Sequence, residues 1–268
     1  AVIGCPVSHS KSPLIHRHWL QKNKICGDYI AIDIPEKNFS NTVKVLVDVG
    51  ISGFNVTLPH KETALKLAHN KTKLALKIGA ANTLVVDSNG SIKADNTDGY
   101  GFISNLEANG GDWTPDAGPA LVMGAGGAAR AILVSLLEAG TPKIYLTNRT
   151  KSRAQNLSDE LLGKIEVIDW DEKEDWLPTI STLVNATSLG MTGKPALTIN
   201  LKTLNKKTLV TDLVYTPVNT PLLTQAKNAG CNTVSGIGML LYQGVPGFYQ
   251  WFGLLPKVDK ELINLVTK

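Results

Sequence analysis

Short apolar runs alternate with amphipathic segments through the first part of the chain. Brief apolar runs bounded by Gly, Pro, Asn or Asp are typical of strands, and apolar residues spaced three and four apart are typical of helices. The runs predict strands over residues 1–4, 29–34, 51–56, 80–86 and 92–94. The spacing predicts helices over residues 35–49, 61–68, 73–78 and 98–109, and one that begins with Ser12 as N-cap and Pro13 in the first turn.

From residue 120 onward the pattern becomes a regular alternation of strands and helices. Residues 110–119 are rich in Gly and Pro and predict a loop that leads into a new unit. Strands are predicted over 120–123, 143–147, 165–168, 182–186 and 208–214, and helices over 127–139 and 151–162. Residues 236–268 predict two helices broken at Leu255-Pro256. This alternation is typical of a parallel sheet, so the predicted fold class is α/β with a Rossmann-type second unit.

Length, charge and cysteine content place the chain among globular proteins. Its 268 residues suffice for two domains, and its net charge of +4 is too small to favour nucleic acid, although it suits an anionic ligand. Cys5, Cys26 and Cys231 lie far apart and predict neither a metal site nor a disulfide framework, so a reducing compartment is expected. No apolar run reaches the roughly 20 residues of a membrane span, and the first residues lack a signal-peptide pattern. A cytoplasmic location is therefore the expectation.

A glycine-rich loop joins the strand predicted over 120–123 to the helix that follows it. This is the context of a dinucleotide-binding fingerprint, in which Gly124 would allow a tight turn while Gly126 and Gly127 let the backbone approach a pyrophosphate at the helix N-terminus. Ala129 stands where the fingerprint carries glycine or alanine. The alternative is a tight turn with no ligand, which the flanking strands and the long helix disfavour.

Basic residues follow the next predicted strand, where an NAD site usually carries an acidic one. The segment 148–153 contains Arg149, Lys151 and Arg153, and it has no Asp or Glu to bind a ribose 2′-hydroxyl. The fork geometry and charge of arginine suit a 2′-phosphate, which favours NADP over NAD. The alternative is a solvated basic helix start, which is disfavoured because cations oppose the helix dipole at that end.

Four polar clusters stand at the ends of apolar runs in the first part of the chain. They are His9-Ser10-Lys11-Ser12-Pro13, Asn55-Val-Thr57-Leu-Pro-His-Lys61-Glu62, Ala80-Ala-Asn82-Thr83 and Asp95-Asn96-Thr97-Asp98-Gly99. Each cluster also has a structural explanation by itself, as a helix cap, a turn or a partner of the backbone. Together they offer hydroxyls, amides, one amine and one carboxylate, which suit a polyol or a carboxylate ligand. A pair of Lys61 and Asp98 could hydrogen-bond a carbonyl and deliver a proton as hydride arrives.

Motifs in a fixed order run from residue 4 to residue 243. They are Gly4-x-Pro6-x-x-His9-Ser10-x-Ser12-Pro13, Asn55-Val-Thr57-x-Pro59-x-Lys61, Gly79-Ala-x-Asn82-Thr83, Asn96-Thr97-Asp98-Gly99, Gly124-Ala-Gly-Gly127, Asn148-Arg149-Thr150 and Gly236-x-Gly238-Met239-Leu240-x-x-Gln243. This set resembles the shikimate dehydrogenase family, whereas unrelated Rossmann enzymes share only the glycine loop. The resemblance implies reversible NADPH-dependent reduction of 3-dehydroshikimate to shikimate in aromatic amino-acid biosynthesis.

The resemblance also implies a role for each matching residue. Lys61 and Asp98 would be the catalytic pair, with Lys61 as proton donor and acceptor. Substrate binding would involve Ser10 and Ser12 at the carboxylate, Thr57, Asn82 and Gln243 at ring hydroxyls, and Tyr215 elsewhere in the pocket. NADP binding would involve Gly124, Ala125, Gly126, Gly127 and Ala128 at the pyrophosphate, Asn148, Arg149, Thr150 and Arg153 at the 2′-phosphate, and Leu213 and Gly236 near the nicotinamide.

The family fold implies a division into two domains. A substrate-binding catalytic domain is expected over 1–98, with 236–268 packing back on it, and an NADP-binding Rossmann domain over 99–235. Lys73 replaces an acidic residue that some relatives carry near the cofactor, so it is left out of the site, and Leu213 replaces a methionine. His9 is expected to be structural. The expected partner is a small-molecule substrate, without nucleic acid or membrane, and the sequence leaves a monomer or a homodimer open.

Three other functions compete with this interpretation. A quinate/shikimate dehydrogenase would use NAD as well as NADP, which the two arginines disfavour, but the sequence does not measure the room for the extra hydroxyl of quinate. A non-catalytic sensor of shikimate-pathway compounds is disfavoured because both Lys61 and Asp98 are present. A dehydrogenase of the methylene-tetrahydrofolate type has a similar two-domain layout, and the pair Ser10 and Ser12 speaks against it.

Overall fold

The computed structural model of the protein describes residues 1–267, which form two compact units. The first unit comprises Ala1–Asp98 together with the residues from Leu241 onward. The second unit comprises Gly99–Leu240. Among the described residues, no helix has both the length and the apolar character that crossing a bilayer requires.

Strands and helices are numbered along the chain. The strands are β1 (Val2–Gly4), β2 (Ala31–Asp33), β3 (Gly53–Val56), β4 (Asn70–Lys71), β5 (Thr83–Val86), β6 (Ile92–Asp95), β7 (Ala120–Met123), β8 (Ile144–Thr147), β9 (Ile165–Val167), β10 (Thr182–Asn185), β11 (Leu209–Asp212) and β12 (Asn232–Ser235). The helices are α1 (Ser12–Lys22), α2 (Phe39–Asp48), α3 (Lys61–Leu67), α4 (Lys73–Ile78), α5 (Asp98–Asn109), α6 (Gly127–Glu138), α7 (Lys151–Leu161), α8 (Pro221–Asn228), α9 (Gly236–Tyr242), α10 (Gly244–Phe252) and α11 (Lys260–Thr267). Short 3₁₀ turns cover Glu36–Asn38 and Lys173–Thr179.

The first unit is built on a mixed sheet with the strand order β2-β1-β3-β5-β6-β4. Strand β1 runs parallel to β2 and β3, whereas β5 runs antiparallel to β3 and β6. Its core gathers the apolar side chains of the strands and of helices α2, α3 and α4, with Phe39, Phe54 and Leu84 fully buried. Burial of these large side chains is the main favourable contribution to folding of the unit.

The second unit is built on a parallel sheet with the strand order β12-β11-β10-β7-β8-β9. Every residue of β7, β8, β10 and β11 is buried, as expected for a parallel sheet covered on both faces. The order reverses at β7, so β8 and β9 lie on one side of it and β10, β11 and β12 lie on the other. The predicted α/β fold class with a Rossmann-type sheet is confirmed.

The ends of several elements differ from those that the pattern predicts. Ser12 is not the N-cap of α1: the helix begins at Ser12, and the hydroxyl of Ser10 accepts the Ser12 N–H at 3.2 Å instead. The chain does leave the helical conformation around Leu255-Pro256, but the helix predicted before that break is divided at Gln243 into α9 and α10. The pattern does not predict the short strand β4, helix α8 or strand β12.

Candidate active site

The four polar clusters lie along one edge of the first sheet. Strands β1, β3 and β6 end at this edge and β5 begins there, because β5 runs antiparallel to its neighbours. The register pairs Thr83 at the start of β5 with Asn55 near the end of β3 and with Asp95 at the end of β6. Loops from four distant parts of the sequence therefore meet at one place, which the sequence alone did not establish.

Lys61 and Asp98 are in direct contact at this edge. The Lys61 Nζ lies 2.5 Å from the Asp98 Oδ2, and their side chains are 23% and 12% exposed. Each residue is the first of its helix, Lys61 of α3 and Asp98 of α5. The Ala81 N–H donates to the Lys61 carbonyl at 2.9 Å, and the Asp98 N–H donates to the Asn96 side chain at 3.1 Å, which fixes both backbones. The result is an ammonium–carboxylate pair that is mostly buried yet accessible to a ligand.

Asn82 holds the other oxygen of the Asp98 carboxylate. Its Nδ2 lies 2.8 Å from the Asp98 Oδ1, 3.1 Å from the Thr97 Oγ1 and 3.3 Å from the Gln243 Oε1. Its Oδ1 accepts the Thr97 N–H at 2.8 Å, and the Thr97 hydroxyl donates to the Gln243 carbonyl at 2.8 Å. The structure thus brings Lys61, Asp98, Asn82 and Gln243 into one hydrogen-bonded group, as a shared ligand site requires.

Behind this group lie two supporting residues outside the predicted site. The Tyr29 hydroxyl donates to the Asn55 Oδ1 at 2.5 Å, and the Asn55 Nδ2 donates to the Asn82 carbonyl at 3.2 Å and to the Thr83 hydroxyl at 3.3 Å. Burial raises the pKa of Tyr29 well above its ordinary value, so the phenol stays a donor. Asn55 belongs to a motif that the sequence singles out, but Tyr29 lies within a predicted strand and gives no such signal.

The remaining predicted substrate residues of the first unit lie on the loops after β1 and β3. Ser10 is half-buried and Ser12 is 5% exposed. The two loops approach closely, since a Cβ at Gly4 would lie 2.5 Å from the Thr57 methyl. Among the described contacts, none joins either serine directly to the Lys61–Asp98 pair, so their place in the site rests on the family pattern.

The glycine loop after β7 has a shape that a turn alone does not explain. Gly124 has φ +114°, and a Cβ there would lie 2.9 Å from the Ala186 carbonyl, so this position requires glycine for the fold. Around Gly126 and Gly127, in contrast, a Cβ would meet nothing within 4 Å, and neither has a positive φ. The open space at the N-terminus of α6 fits the approach of a pyrophosphate, which Cβ atoms would obstruct.

The basic segment after β8 presents two unpaired arginines. The Lys151 Nζ forms an ion pair with the Asp169 Oδ2 at 2.8 Å, whereas Arg149 and Arg153 are exposed and form no ion pair within the described part of the chain. Thr150 is the N-cap of α7 but makes no side-chain capping bond, and of the first three N–H groups only that of Arg153 has a backbone acceptor among the described residues, the Thr150 carbonyl at 3.0 Å, which leaves this helix start able to bind an anion. The arrangement fits a phosphate bound by Arg149, Arg153 and this helix N-terminus.

The predicted nicotinamide and substrate residues of the second unit lie after β11. A Cβ at Gly236 would lie 2.4 Å from the Leu213 carbonyl, so the structure brings these two residues together. Tyr215 is half-buried, and burial raises the pKa of its phenol. Sequence reasoning missed the residues that hold this region, Asp212 and Asn185, which end β11 and β10.

Comparison with known proteins identifies the family. Residues 2–84 match the shikimate dehydrogenase substrate binding domain, and residues 115–218 match the shikimate / quinate 5-dehydrogenase family. The chain is 50% identical over 265 residues to shikimate dehydrogenase (NADP(+)) of Paracoccus denitrificans, covering 99% of this chain and 94% of the relative. It is 51% identical over 257 residues to the enzyme of the same name from Roseobacter denitrificans, covering 96% and 93%.

Solved structures give the same result. Shikimate 5-dehydrogenase of Thermus thermophilus, in complex with NADP(H) and shikimate, is 36% identical with a TM-score of 0.86, covering 96% of this chain and 94% of that one. Quinate dehydrogenase of Corynebacterium glutamicum, in complex with NAD, is 28% identical with a TM-score of 0.93, covering 100% and 98%. The resemblance noted in the sequence is confirmed, and the chain belongs to the shikimate dehydrogenase family.

Proposed function

We propose that the protein catalyses the reversible, NADP-dependent interconversion of 3-dehydroshikimate and shikimate, a step of aromatic amino-acid biosynthesis. The observation that carries the proposal is the Lys61–Asp98 pair, held by Asn82 at the edge where four polar loops meet. Relatives about half identical over nearly the whole chain are named shikimate dehydrogenase (NADP(+)). A ring ketone becomes an alcohol when it gains a hydride and a proton, and the pair offers a proton beside a polyol-binding surface.

Lys61 is assigned the proton transfer. In the direction of reduction its ammonium hydrogen-bonds the substrate carbonyl and gives up a proton as the oxygen gains charge, and in the direction of oxidation the amine takes the proton back. Asp98 positions the Lys61 amine through the contact at 2.5 Å. Asn82 fixes Asp98 in turn, so its amide orients the pair as well as offering a donor to a ring hydroxyl. Bound NADP(H) supplies or accepts the hydride.

Substrate binding is assigned to the first unit and cofactor binding to the second. Hydroxyls and amides of Ser10, Ser12, Thr57, Asn82 and Gln243 suit the carboxylate and hydroxyls of shikimate, and the family pattern assigns Tyr215 to substrate binding as well. Residues 124–128 are assigned to the pyrophosphate, and residues 148–150 with 153 to the 2′-phosphate. Leu213 and Gly236 are assigned to the nicotinamide.

A second candidate is activity on quinate with NAD. It is favoured by the likeness to a quinate dehydrogenase that was solved with NAD. The segment after β8 disfavours NAD as the cofactor. It carries two unpaired arginines and lacks the acidic residue that would bind a ribose 2′-hydroxyl. NADP with shikimate is therefore the proposed pair, and quinate with NAD is the comparison in the assay.

Replacement of Lys61 tests the proposed mechanism. Lys61→Ala should lower kcat for shikimate oxidation by about 10²- to 10⁴-fold, because it removes the proton acceptor, while KM for shikimate changes by only a few-fold. Lys66→Ala is the matched control, since Lys66 is exposed on the same helix. A Lys61→Ala enzyme with near-normal kcat would show that the proton is handled elsewhere.

A further inference from the structure

Asp212, the last residue of β11, is a buried carboxylate without a cationic partner among the described residues. It is 1% exposed, and its oxygens accept hydrogen bonds from the Asn185 Nδ2 at 2.9 Å, the Val214 N–H at 3.0 Å and the Thr220 hydroxyl at 2.7 Å. All three of these donors are neutral. Burial raises the pKa of Asp212 to about 6, which reflects the cost of a desolvated charge. A desolvated carboxylate at the end of a fully buried strand points to a role beyond packing.

Asn185, the last residue of β10, extends these bonds to a second loop. Its Nδ2 also donates to the Leu189 carbonyl at 3.0 Å, and its Oδ1 accepts from the Thr187 N–H at 3.1 Å and the Thr187 hydroxyl at 2.7 Å. The loop after β10 is thereby tied to Asn185, and the loop after β11 is tied to Asp212. The bond between the two side chains joins both loops at their bases.

The same two loops are joined again farther from the sheet. The Thr192 N–H donates to the Thr216 carbonyl at 2.9 Å. The loop after β10 also contacts the glycine loop after β7, since a Cβ at Gly124 would lie 2.9 Å from the Ala186 carbonyl. The three loops at the carboxyl edge of the second sheet therefore form one continuous layer.

The strand order assigns this layer to one half of the dinucleotide. The glycine loop follows β7, and the two arginines assigned to the 2′-phosphate follow β8 on one side of it. Strands β10 and β11 lie on the other side of β7. A dinucleotide with its pyrophosphate at β7 and its adenosine over β8 would extend its nicotinamide half towards β10 and β11.

We propose that Asp212 is a positioning residue for the nicotinamide half of NADP(H): through Asn185 and Thr220 it fixes the loops after β10 and β11 in the arrangement that the nicotinamide riboside contacts. The proposal rests on the proposed function for the identity of the cofactor. In this role Asp212 contacts neither the cofactor nor the substrate and acts on cofactor binding through the two loops.

Binding of two ligands distinguishes this role from general stabilisation. NADP⁺ engages both halves of the site, whereas adenosine 2′,5′-bisphosphate engages only the adenosine half. Asp212→Ala should weaken NADP⁺ binding by about tenfold or more, because three donors lose their acceptor, and leave the Kd of the bisphosphate within about twofold. Asp212→Asn keeps an oxygen for the Asn185 and Val214 donors and should recover most of the NADP⁺ affinity.

A threonine pair provides the control and a milder perturbation. Thr220→Val removes one bond to Asp212 and also the N-cap acceptor of the Leu223 N–H in α8, and Thr208→Val removes a buried hydroxyl that donates to the Ile180 carbonyl at 2.9 Å near the opposite end of β11. Thr220→Val should weaken NADP⁺ by about three- to tenfold, and Thr208→Val should not, and this comparison decides the matter if Asp212→Ala does not fold.

The proposal is wrong if Asp212→Ala, or Thr220→Val in its place, binds both ligands as the unchanged protein does, or weakens both equally. These measurements need no turnover. Failure of the unchanged protein to oxidise shikimate would overturn the proposed function and leave the binding comparison standing.

Discussion

His16 should make the first unit sensitive to acid. The imidazole is fully buried, stacked on Tyr29 at 4.1 Å between ring centroids, and neither ring nitrogen makes a hydrogen bond of normal geometry with the described residues. Burial, and to a smaller extent the charge of the Ala1 amine, lower its pKa from 6.5 to about 3, and the nearby Asn55 side chain opposes this shift. The folded protein therefore keeps His16 neutral where the unfolded chain would protonate it.

The sign and size of the effect follow from linkage. Because the pKa of the folded state is the lower one, the unfolded state binds the extra proton, and stability is lost as the pH falls from 6.5 towards 3. At about 1.4 kcal/mol per pH unit, the full difference between 6.5 and about 3 amounts to about 5 kcal/mol. At pH 4.5 about 3 kcal/mol of this would be lost, a large part of the roughly 5–15 kcal/mol that stabilises a typical domain.

Urea unfolding of His16→Phe at pH 7 and pH 4.5 measures this contribution. Phe keeps the stacked ring and cannot be protonated. Lowering the pH from 7 to 4.5 should therefore reduce the free energy of unfolding of His16→Phe by about 3 kcal/mol less than it reduces that of the unchanged protein. Phe248→Leu is the control: it trims a buried ring 5.9 Å from His16 and should lower stability equally at both pH values. If His16→Phe loses as much stability in acid as the unchanged protein, the buried imidazole is not the cause.

Two further predictions concern the cofactor site. Replacing Arg149 and Arg153 by alanine should raise KM for NADP⁺ by about 10- to 100-fold or more and leave KM for NAD⁺ nearly unchanged, because only NADP carries the 2′-phosphate; an equal loss for both cofactors would contradict the assignment. Gly124→Ala should lower the melting temperature, because φ is +114° and the Ala186 carbonyl is close. Gly126→Ala should leave the melting temperature unchanged and weaken NADP⁺, and the idea of a cofactor cradle fails if NADP⁺ affinity is also unchanged.

The sequence predicted the four central strands of the second sheet more accurately than the edge strand β12 and the helix α8. Strands β7, β8, β10 and β11 are apolar runs between glycine- and proline-rich turns, and burial on both faces keeps most positions apolar or small. Strand β12, with the sequence Asn-Thr-Val-Ser, lies at the edge with one buried residue, so no apolar run marks it. Helix α8 did carry a signal, Thr220 as N-cap followed by Pro221, and the bond from the Leu223 N–H to the Thr220 hydroxyl is present at 3.3 Å.

The candidate site shows a similar division. Lys61 and Asp98 stand out in the sequence because they are the amine and carboxylate of ordered motifs, and the structure places them in contact. Convergence of the four clusters depends on β5 running antiparallel to both β3 and β6. The turn Asp87-Ser-Asn-Gly90 indicates the hairpin of β5 and β6, whereas no local pattern specifies that β5 pairs with β3. Asp212 escaped notice because it lies within a predicted strand, although a charged residue in a buried strand is itself a signal.

The most direct test of the proposed function is the absorbance of reduced nicotinamide after mixing the purified protein with shikimate or quinate, each with NADP⁺ or NAD⁺. Rapid reduction with shikimate and NADP⁺, and slow reduction in the other three pairings, is the predicted result. Comparable rates with quinate or NAD⁺ would place the protein with dehydrogenases of dual specificity. No reduction in any pairing, with shikimate still bound, would contradict the roles assigned to Lys61 and Asp98 and would indicate a sensor.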